Sequence, residues 1–314
     1  MCLARTRLFC GLLFLKPSKP KALFWALIVA SISSSPISME ITTVKNSRKS
    51  GIKSDAASFV NQIVLLGASN LTRALATTVE AAQRICGRPS RILVAAGHGR
   101  SYGVYSQVLF RGLPGIIHCG LWDDLAKGPT LPTFALLTDL GNDIAFEVSV
   151  EKIIDWVDWC VARLAEHRAR MIVTTLPVQG LEGLSPWGYR FFRAVLFPGR
   201  RLSLQQVLDR ARAINIALHQ HALERAFTVV EQRPQWYGVD PIHIRRRFFA
   251  PAYDDILRHW VDGYPHGQRV SRTSLRRWVQ LRLLAPQYQR VFGSDRYREQ
   301  PAVVLPDGST VALY

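Results

Sequence analysis

The sequence is poor in cysteine, with 5 in 314 residues and no C-x-x-C pair. An odd, scattered set of cysteines indicates neither a disulfide framework nor a zinc site. His219 and His221 are two residues apart and do not share a helix face, so they are not a pair of metal ligands. The nucleotide-binding fingerprints are also missing, because Tyr102 stands where G-x-G-x-x-G needs a glycine and no phosphate-loop motif occurs. We therefore predict neither a metal nor a cofactor.

Acidic residues are scarce as well, at 23 against 40 Lys and Arg, which gives a net charge of +17. The excess lies mostly at the two ends, at +7 over residues 1–58 and +6 over residues 244–314, and only +4 over residues 59–243. No zinc-finger spacing, RNA-binding signature or continuous basic helix accompanies it. The positive charge predicts weak attraction to anionic surfaces. Because the nucleic-acid-binding motifs are missing, we expect no nucleic-acid partner.

Long hydrophobic runs are missing too. The N-terminal apolar runs at 8–15 and 22–30 are short, and the second has the length of a signal-peptide core. Residues 1–58 are predicted to be an extension that ends in a flexible lead-in. It is either a signal or anchor, which would export the protein or attach it to a membrane, or a spurious start before Met39. The second alternative is favoured, because the rest of the chain lacks a secretory cysteine pattern, and it implies a cytoplasmic protein. Membrane association is expected only through this N-terminus.

Strands and helices alternate from residue 59 onwards. Buried strands are predicted at 63–66, 91–96, 116–121, 133–138, 170–176 and 227–231. Amphipathic helices between them predict an α/β domain over 59–265, with a parallel sheet covered on both faces. Residues 266–314 are predicted to be a C-terminal extension with a hairpin around Asp307-Gly308.

Polar residues follow four of these strands. They are Ser69, the loop Gly97-His98-Gly99, Asn142, and the pair Asp240 and His243. Because the carboxyl ends of parallel strands meet at one edge of a sheet, these residues are expected to face one crevice. Taken singly, each has a simpler explanation. Ser69, for example, lies where a helix begins and would serve as its N-cap.

Together these residue types suit acyl transfer by a serine. The reaction needs a base within reach of the hydroxyl and a carboxylate that orients the base, and Asp-x-x-His supplies both from one loop. Asn142 and a backbone amide of the glycine loop can donate to an oxyanion. Trp236 and Tyr237 either line an acyl or sugar pocket or pack the loop. The run 245–247 (RRR) either attracts an anionic substrate or is the solvated start of a helix.

In this order, the motifs resemble those of the SGNH (GDSL-type) hydrolase superfamily over residues 60–262. The matching positions are Gly67-Ala68-Ser69, Gly99 or less well Gly97, Leu140-Gly141-Asn142-Asp143, and Asp240 with His243. Two positions depart from the family pattern. Ala68 stands in place of an aspartate and Leu140 in place of a glycine.

The resemblance implies a three-layer α/β/α sandwich around a mostly parallel, flavodoxin-like sheet of five strands. It makes Ser69 the nucleophile, His243 the base and Asp240 the orienting carboxylate, with an oxyanion hole formed by Ser69, Gly99 and Asn142. The implied activity is hydrolysis of an ester of a small molecule, glycan or lipid. An acyltransferase with the same site and a non-catalytic binding domain are the alternatives. The oligomeric state is not indicated.

Overall fold

The structure, a computed structural model, describes residues 59–108, 110–183, 201–238, 240–265 and 274–314. The expectations for residues 1–58 therefore lie outside the described residues. Within the described ranges, every helix is too short or too polar to cross a bilayer.

The described strands form two sheets. In chain order they are β1 (Asn61–Leu66), β2 (Ser90–Ala95), β3 (Ser106–Val108), β4 (Arg111–Leu113), β5 (Thr133–Leu137), β6 (Arg170–Thr174), β7 (Thr228–Val230), β8 (Tyr288–Val291), β9 (Ser294–Tyr297), β10 (Val303–Val304) and β11 (Thr310–Leu313). The main sheet has the order β10-β11-β2-β1-β5-β6-β7, and only its β10–β11 pair is antiparallel. The second sheet, β3-β4-β8-β9, is antiparallel throughout.

The predicted five-stranded arrangement is present at the centre of the main sheet. The order β2-β1-β5-β6-β7 is the flavodoxin-like order, which has its switch point beside the first strand. The predicted strand count was wrong, because the main sheet also contains β10 and β11 from the C-terminal stretch. Val303 and Val304 pair with Val311 and Thr310 in a hairpin, and β11 then runs parallel to β2.

Helices cover both faces of the main sheet. They are α1 (Ser69–Cys86), α2 (Leu121–Ala126), α3 (Gly141–Ala145), α4 (Val150–Glu166), α5 (Val178–Glu182), α6 (Leu204–Arg225), α7 (Phe249–Leu257) and α8 (Leu275–Arg282). Alternate residues of β1 enter two separate cores, so that Ile63 packs with α1 and α7 and Val64 packs with α4 and α6. This division is the three-layer α/β/α architecture that the alternating pattern predicts.

One predicted strand is not a strand. Residues Ile116–His118 form a single 3₁₀ turn instead of a strand over 116–121. Gly115 lies so close to the backbone of Gly103 that an added Cβ would be 2.5 Å from its carbonyl carbon. Because of this contact, the chain crosses the loop that follows β2 at Gly115 and turns there. Ile116, the first residue of the 3₁₀ turn, is buried in the core.

Candidate active site

Ser69 is the first residue of α1, directly after the turn that leaves β1. The expected N-cap role of Ser69 is not seen, because its side chain does not cap the helix. The carboxylate of Asp139, at the end of β5, does so instead. Its Oδ2 accepts from the amides of Ala68 at 2.9 Å, Asn70 at 3.0 Å and Leu71 at 3.1 Å. The hydroxyl of Ser69 is therefore available for another partner.

That partner is His243. Its Nε2 lies 3.0 Å from the Ser69 Oγ, and its Nδ1 lies 2.7 Å from Oδ2 of Asp240. A carboxylate only accepts hydrogen bonds, so the ring proton sits on Nδ1 and Nε2 presents a lone pair. The Ser69 hydroxyl thus donates to an imidazole that Asp240 holds in the tautomer suited to a general base.

Asp240 is kept ionised within its own loop. Its Oδ1 accepts from the backbone amides of Ile242 and His243, both at 3.2 Å. Burial acts to raise the pKa of Asp240, but the hydrogen bond from His243 and the charges of His243 and Arg73 outweigh it. The pKa of this carboxyl therefore lies below its ordinary value. An ionised Asp240 can stabilise a positive charge that forms on His243.

Asn70 connects the start of α1 to the loop that carries His243. Its Nδ2 donates to Oδ1 of Asp139 and to the carbonyl of Ile242, both at 2.9 Å. Its Oδ1 accepts from the Ile244 amide at 2.8 Å. Both peptide neighbours of His243 are thereby tied to the residue that follows Ser69. We assign Asn70 a positioning role, because it fixes the imidazole relative to the hydroxyl without touching either.

The glycine loop after β2 forms a tight turn, in which the amide of Arg100 donates to the carbonyl of Gly97 at 3.2 Å. Gly99 occupies the third position of the turn with φ +65°, a conformation that favours glycine. A Cβ on Gly99 would lie 2.4 Å from Cγ2 of Val108. Gly97 is equally crowded, since its added Cβ would lie 2.3 Å from Leu113, but its φ is ordinary, so the positive φ is the feature that distinguishes Gly99.

At the start of α1 and in the glycine loop, the backbone amides of Ser69 and Gly99 have no hydrogen-bond acceptor among the described residues, although the amides of Ala68, Asn70 and Leu71 around Ser69 are all bonded to Asp139. The Asn142 amide group uses one N–H on the carbonyl of Arg100, at 3.2 Å, which ties it to the glycine loop. These donors are of the kind that an oxyanion hole requires.

Two titratable residues at the glycine loop have no role in the sequence-based prediction: His98, in the loop itself, and Asp143, in α3. Burial raises the pKa of Asp143 to about 6, although bonds from Ser101 and from the Tyr102 amide act in the opposite direction. Burial lowers the pKa of His98 to about 4, and the neighbouring positive charges of His243 and Arg111 add to that shift. His98 is therefore neutral at physiological pH, and Asp143 joins the loop after β5 to the glycine loop.

Several expected substrate contacts are not available at the surface. The side chains of Trp236 and Tyr237 are each only 3% exposed and belong to the apolar core, which favours the loop-packing alternative. In the basic run after His243, Arg245 and Arg247 both stack on Phe248 at 5.0 Å from its ring centroid. This arrangement agrees with the solvated start of a helix.

The signals for the missed residues were weak. Asp139 has φ +63°, which is unusual for a residue other than glycine, and nothing in its sequence neighbourhood indicates that conformation. Asn70 reads as an ordinary polar residue in a helix start. Only the fold, which brings residues 139 and 242 to within hydrogen-bond distance of residue 70, reveals what they do.

Comparison with known proteins gives similarity in structure only. No protein-family model and no curated protein matches the chain. A lipolytic protein of the G-D-S-L family from Veillonella parvula is 13% identical, with 62% of this chain and 93% of that chain covered and a TM-score of 0.40. An aryl esterase from M. smegmatis is 18% identical, with 64% and 100% covered and a TM-score of 0.43. A psychrotrophic esterase from Pseudoalteromonas sp. is 14% identical, with 62% and 93% covered and a TM-score of 0.35.

Proposed function

We propose that this protein is a serine hydrolase of the SGNH type that cleaves carboxylic esters through an acyl-enzyme on Ser69. One observation carries the proposal. The hydroxyl of Ser69, the imidazole of His243 and the carboxylate of Asp240 form a continuous hydrogen-bonded chain, with links of 3.0 and 2.7 Å. Its members come from two loops 174 residues apart in sequence, at the carboxyl edge of one sheet.

In the acylation step, the Ser69 Oγ attacks the ester carbonyl carbon while its proton passes to Nε2 of His243. Asp240 stays ionised and stabilises the resulting imidazolium. The tetrahedral intermediate then breaks its bond to the alcohol oxygen, which takes the proton back from Nε2. The alcohol leaves, and the acyl group remains as an ester of Ser69.

The negative charge on the carbonyl oxygen needs donors that have no other partner. Within the described part of the chain, the amides of Ser69 and Gly99 and the second N–H of Asn142 meet this requirement. The start of α1 adds the positive end of its dipole. Each such donor is worth on the order of 10²–10³ in turnover in enzymes that use them.

In deacylation, His243 takes a proton from water, and the oxygen of that water attacks the acyl carbon. Collapse of the second intermediate returns the proton to the Ser69 Oγ and releases the carboxylic acid. If another alcohol occupies the place of water, the same chemistry transfers the acyl group to it. Water and an added alcohol can therefore be compared by product analysis in one reaction.

The proposal is tested with a short p-nitrophenyl ester and the variant Ser69→Ala. We expect this variant to lose hydrolysis while its circular dichroism and unfolding midpoint stay close to those of the parent. Ser149→Ala is the matched control and should retain hydrolysis, because Ser149 also stands at the start of a helix, α4, where its hydroxyl accepts from the Lys152 amide outside the proposed triad. Hydrolysis that persists unchanged in Ser69→Ala rules the proposal out.

A further inference from the structure

Arg111 lies beside the loop that carries Gly99. It is the first residue of β4 and pairs directly with Val108 across the β3–β4 hairpin. Directly opposed residues of an antiparallel pair project their side chains to the same face. Val108 uses that face to pack against Gly99, since its Cγ2 would be 2.4 Å from an added Cβ there. Arg111 therefore faces the same loop as the free amide of Gly99.

The guanidinium of Arg111 has no counter-charge among the residues that the structure describes. Its Nε is buried without a hydrogen-bond partner, and its side chain makes no ion pair with any residue that the structure describes. Burial lowers the pKa of Arg111, and the fully buried Arg100 adds a second, repulsive contribution. A half-buried, uncompensated arginine is costly for the fold. Such a residue is explained when a ligand supplies the anion.

The charged groups that act on His98, the neighbour of Gly99, are all basic: His243, Arg111, Arg73 and Arg282. The carboxylates that act on Arg73 are Asp240 and Asp139.

Both of these carboxylates are already engaged. Asp240 is hydrogen-bonded to His243, and Asp139 accepts three amides at the start of α1. Neither is therefore free to neutralise Arg111. The surroundings of the glycine loop favour an anion that arrives from outside.

We propose that the substrate is an anionic ester, and that Arg111 binds its negatively charged group beside the oxyanion loop. This inference rests on the proposed hydrolase function and names the substrate class of the same site. It assigns anion recognition to Arg111, and not to the run 245–247, where Arg245 and Arg247 are stacked on Phe248. The anionic group can be part of the acyl or of the alcohol portion, and the experiment includes both.

The test compares charged and neutral esters of matched shape. One pair, 4-acetoxybenzoate and 4-acetoxybenzamide, carries the charge on the alcohol side. The other, the monoethyl ester of glutaric acid and its monoamide analogue, carries it on the acyl side. The measured quantity is the ratio of kcat/KM for the charged and the neutral member, so that a general loss of active protein cancels.

We expect the parent to prefer the charged member of at least one pair, and Arg111→Gln to reduce that ratio by about ten- to a hundredfold, as loss of a charge-assisted hydrogen bond would. Arg111→Lys should retain part of the preference. Arg290→Gln is the control, because Arg290 lies on β8 of the same sheet, is 55% exposed and has Asp295 as a partner. It should leave the ratio unchanged.

Two outcomes overturn the inference. One is the absence of a charge preference in both pairs, and the other is a preference that Arg111→Gln leaves intact. Hydrolysis of the neutral esters reports separately on the proposed hydrolase function. If the neutral esters are cleaved and the charge preference is absent, the hydrolase function stands and anion recognition by Arg111 fails.

Discussion

Replacement of Asn70 by alanine tests whether the clamp between α1 and the His243 loop sets the catalytic geometry. The change removes the acceptor of the Ile244 amide and the donor to the Ile242 carbonyl. Ile244 is only 2% exposed, so its unsatisfied amide costs about 1–3 kcal/mol. Ile242 is half-buried, so water can replace the donor that its carbonyl loses. This loss therefore lowers the free energy of unfolding by a smaller amount. We expect a loss of about 2–4 kcal/mol in the free energy of unfolding.

The effect on catalysis should be larger than the effect on binding. A shift of about 1 Å in the imidazole typically costs on the order of 10² in rate, so kcat for a p-nitrophenyl ester should fall while KM changes little. Titration with a fluorophosphonate corrects kcat for the amount of folded, reactive protein. Urea unfolding of the same samples gives the change in stability.

The matched control is Thr72→Ala in the same helical turn. The Thr72 hydroxyl donates to the carbonyl of Ala68 at 2.6 Å, and it has no hydrogen bond to the described residues of the His243 loop. The Thr72→Ala variant should lose about 1 kcal/mol in the free energy of unfolding, and its corrected kcat should stay close to that of the parent. A corrected kcat in Asn70→Ala equal to that of Thr72→Ala would refute the positioning role.

Further expectations concern pH and the glycine loop. Gly99→Ala should lose both activity and stability, because φ is +65° and the new Cβ meets Val108; unchanged hydrolysis and unfolding would show that this turn is not needed. The pKa of His98 is lowered from 6.5 to about 4, so the unfolded chain takes up a proton first on acidification and stability should fall from pH 6.5 to 4. His98→Gln should make that fall shallower in urea titrations, and an identical slope would contradict the assignment.

The sequence predicts those parts of the site whose position follows from the hydrophobic periodicity of the strands and helices. The apolar run before Gly67 and the helical spacing of Leu71, Leu75 and Val79 put Ser69 where β1 passes into α1, and the structure has it there. The spacing of Asp240 and His243 by three residues allowed one loop to hold both. In the structure their side chains are 2.7 Å apart.

What sequence reasoning missed depends on contacts between distant segments. Asp139 caps a helix that begins 70 residues earlier, through a backbone conformation with φ +63° that its neighbours do not indicate. Strand β11 joins the main sheet beside β2 because of long-range parallel pairing, which hydrophobic periodicity cannot assign. The choice between a pocket-lining and a loop-packing role for Trp236 and Tyr237 depends on which residues pack against them. The structure shows that both are buried.

The central claim is that the hydroxyl of Ser69 is a nucleophile activated by His243. The most direct measurement is mass-spectrometric mapping of the full chain after reaction with a fluorophosphonate probe, together with the rate of labelling. We predict one adduct, on Ser69, that forms much more slowly in His243→Ala. Absence of an adduct on Ser69 in the folded protein, or labelling at the same rate without the imidazole, would contradict the account.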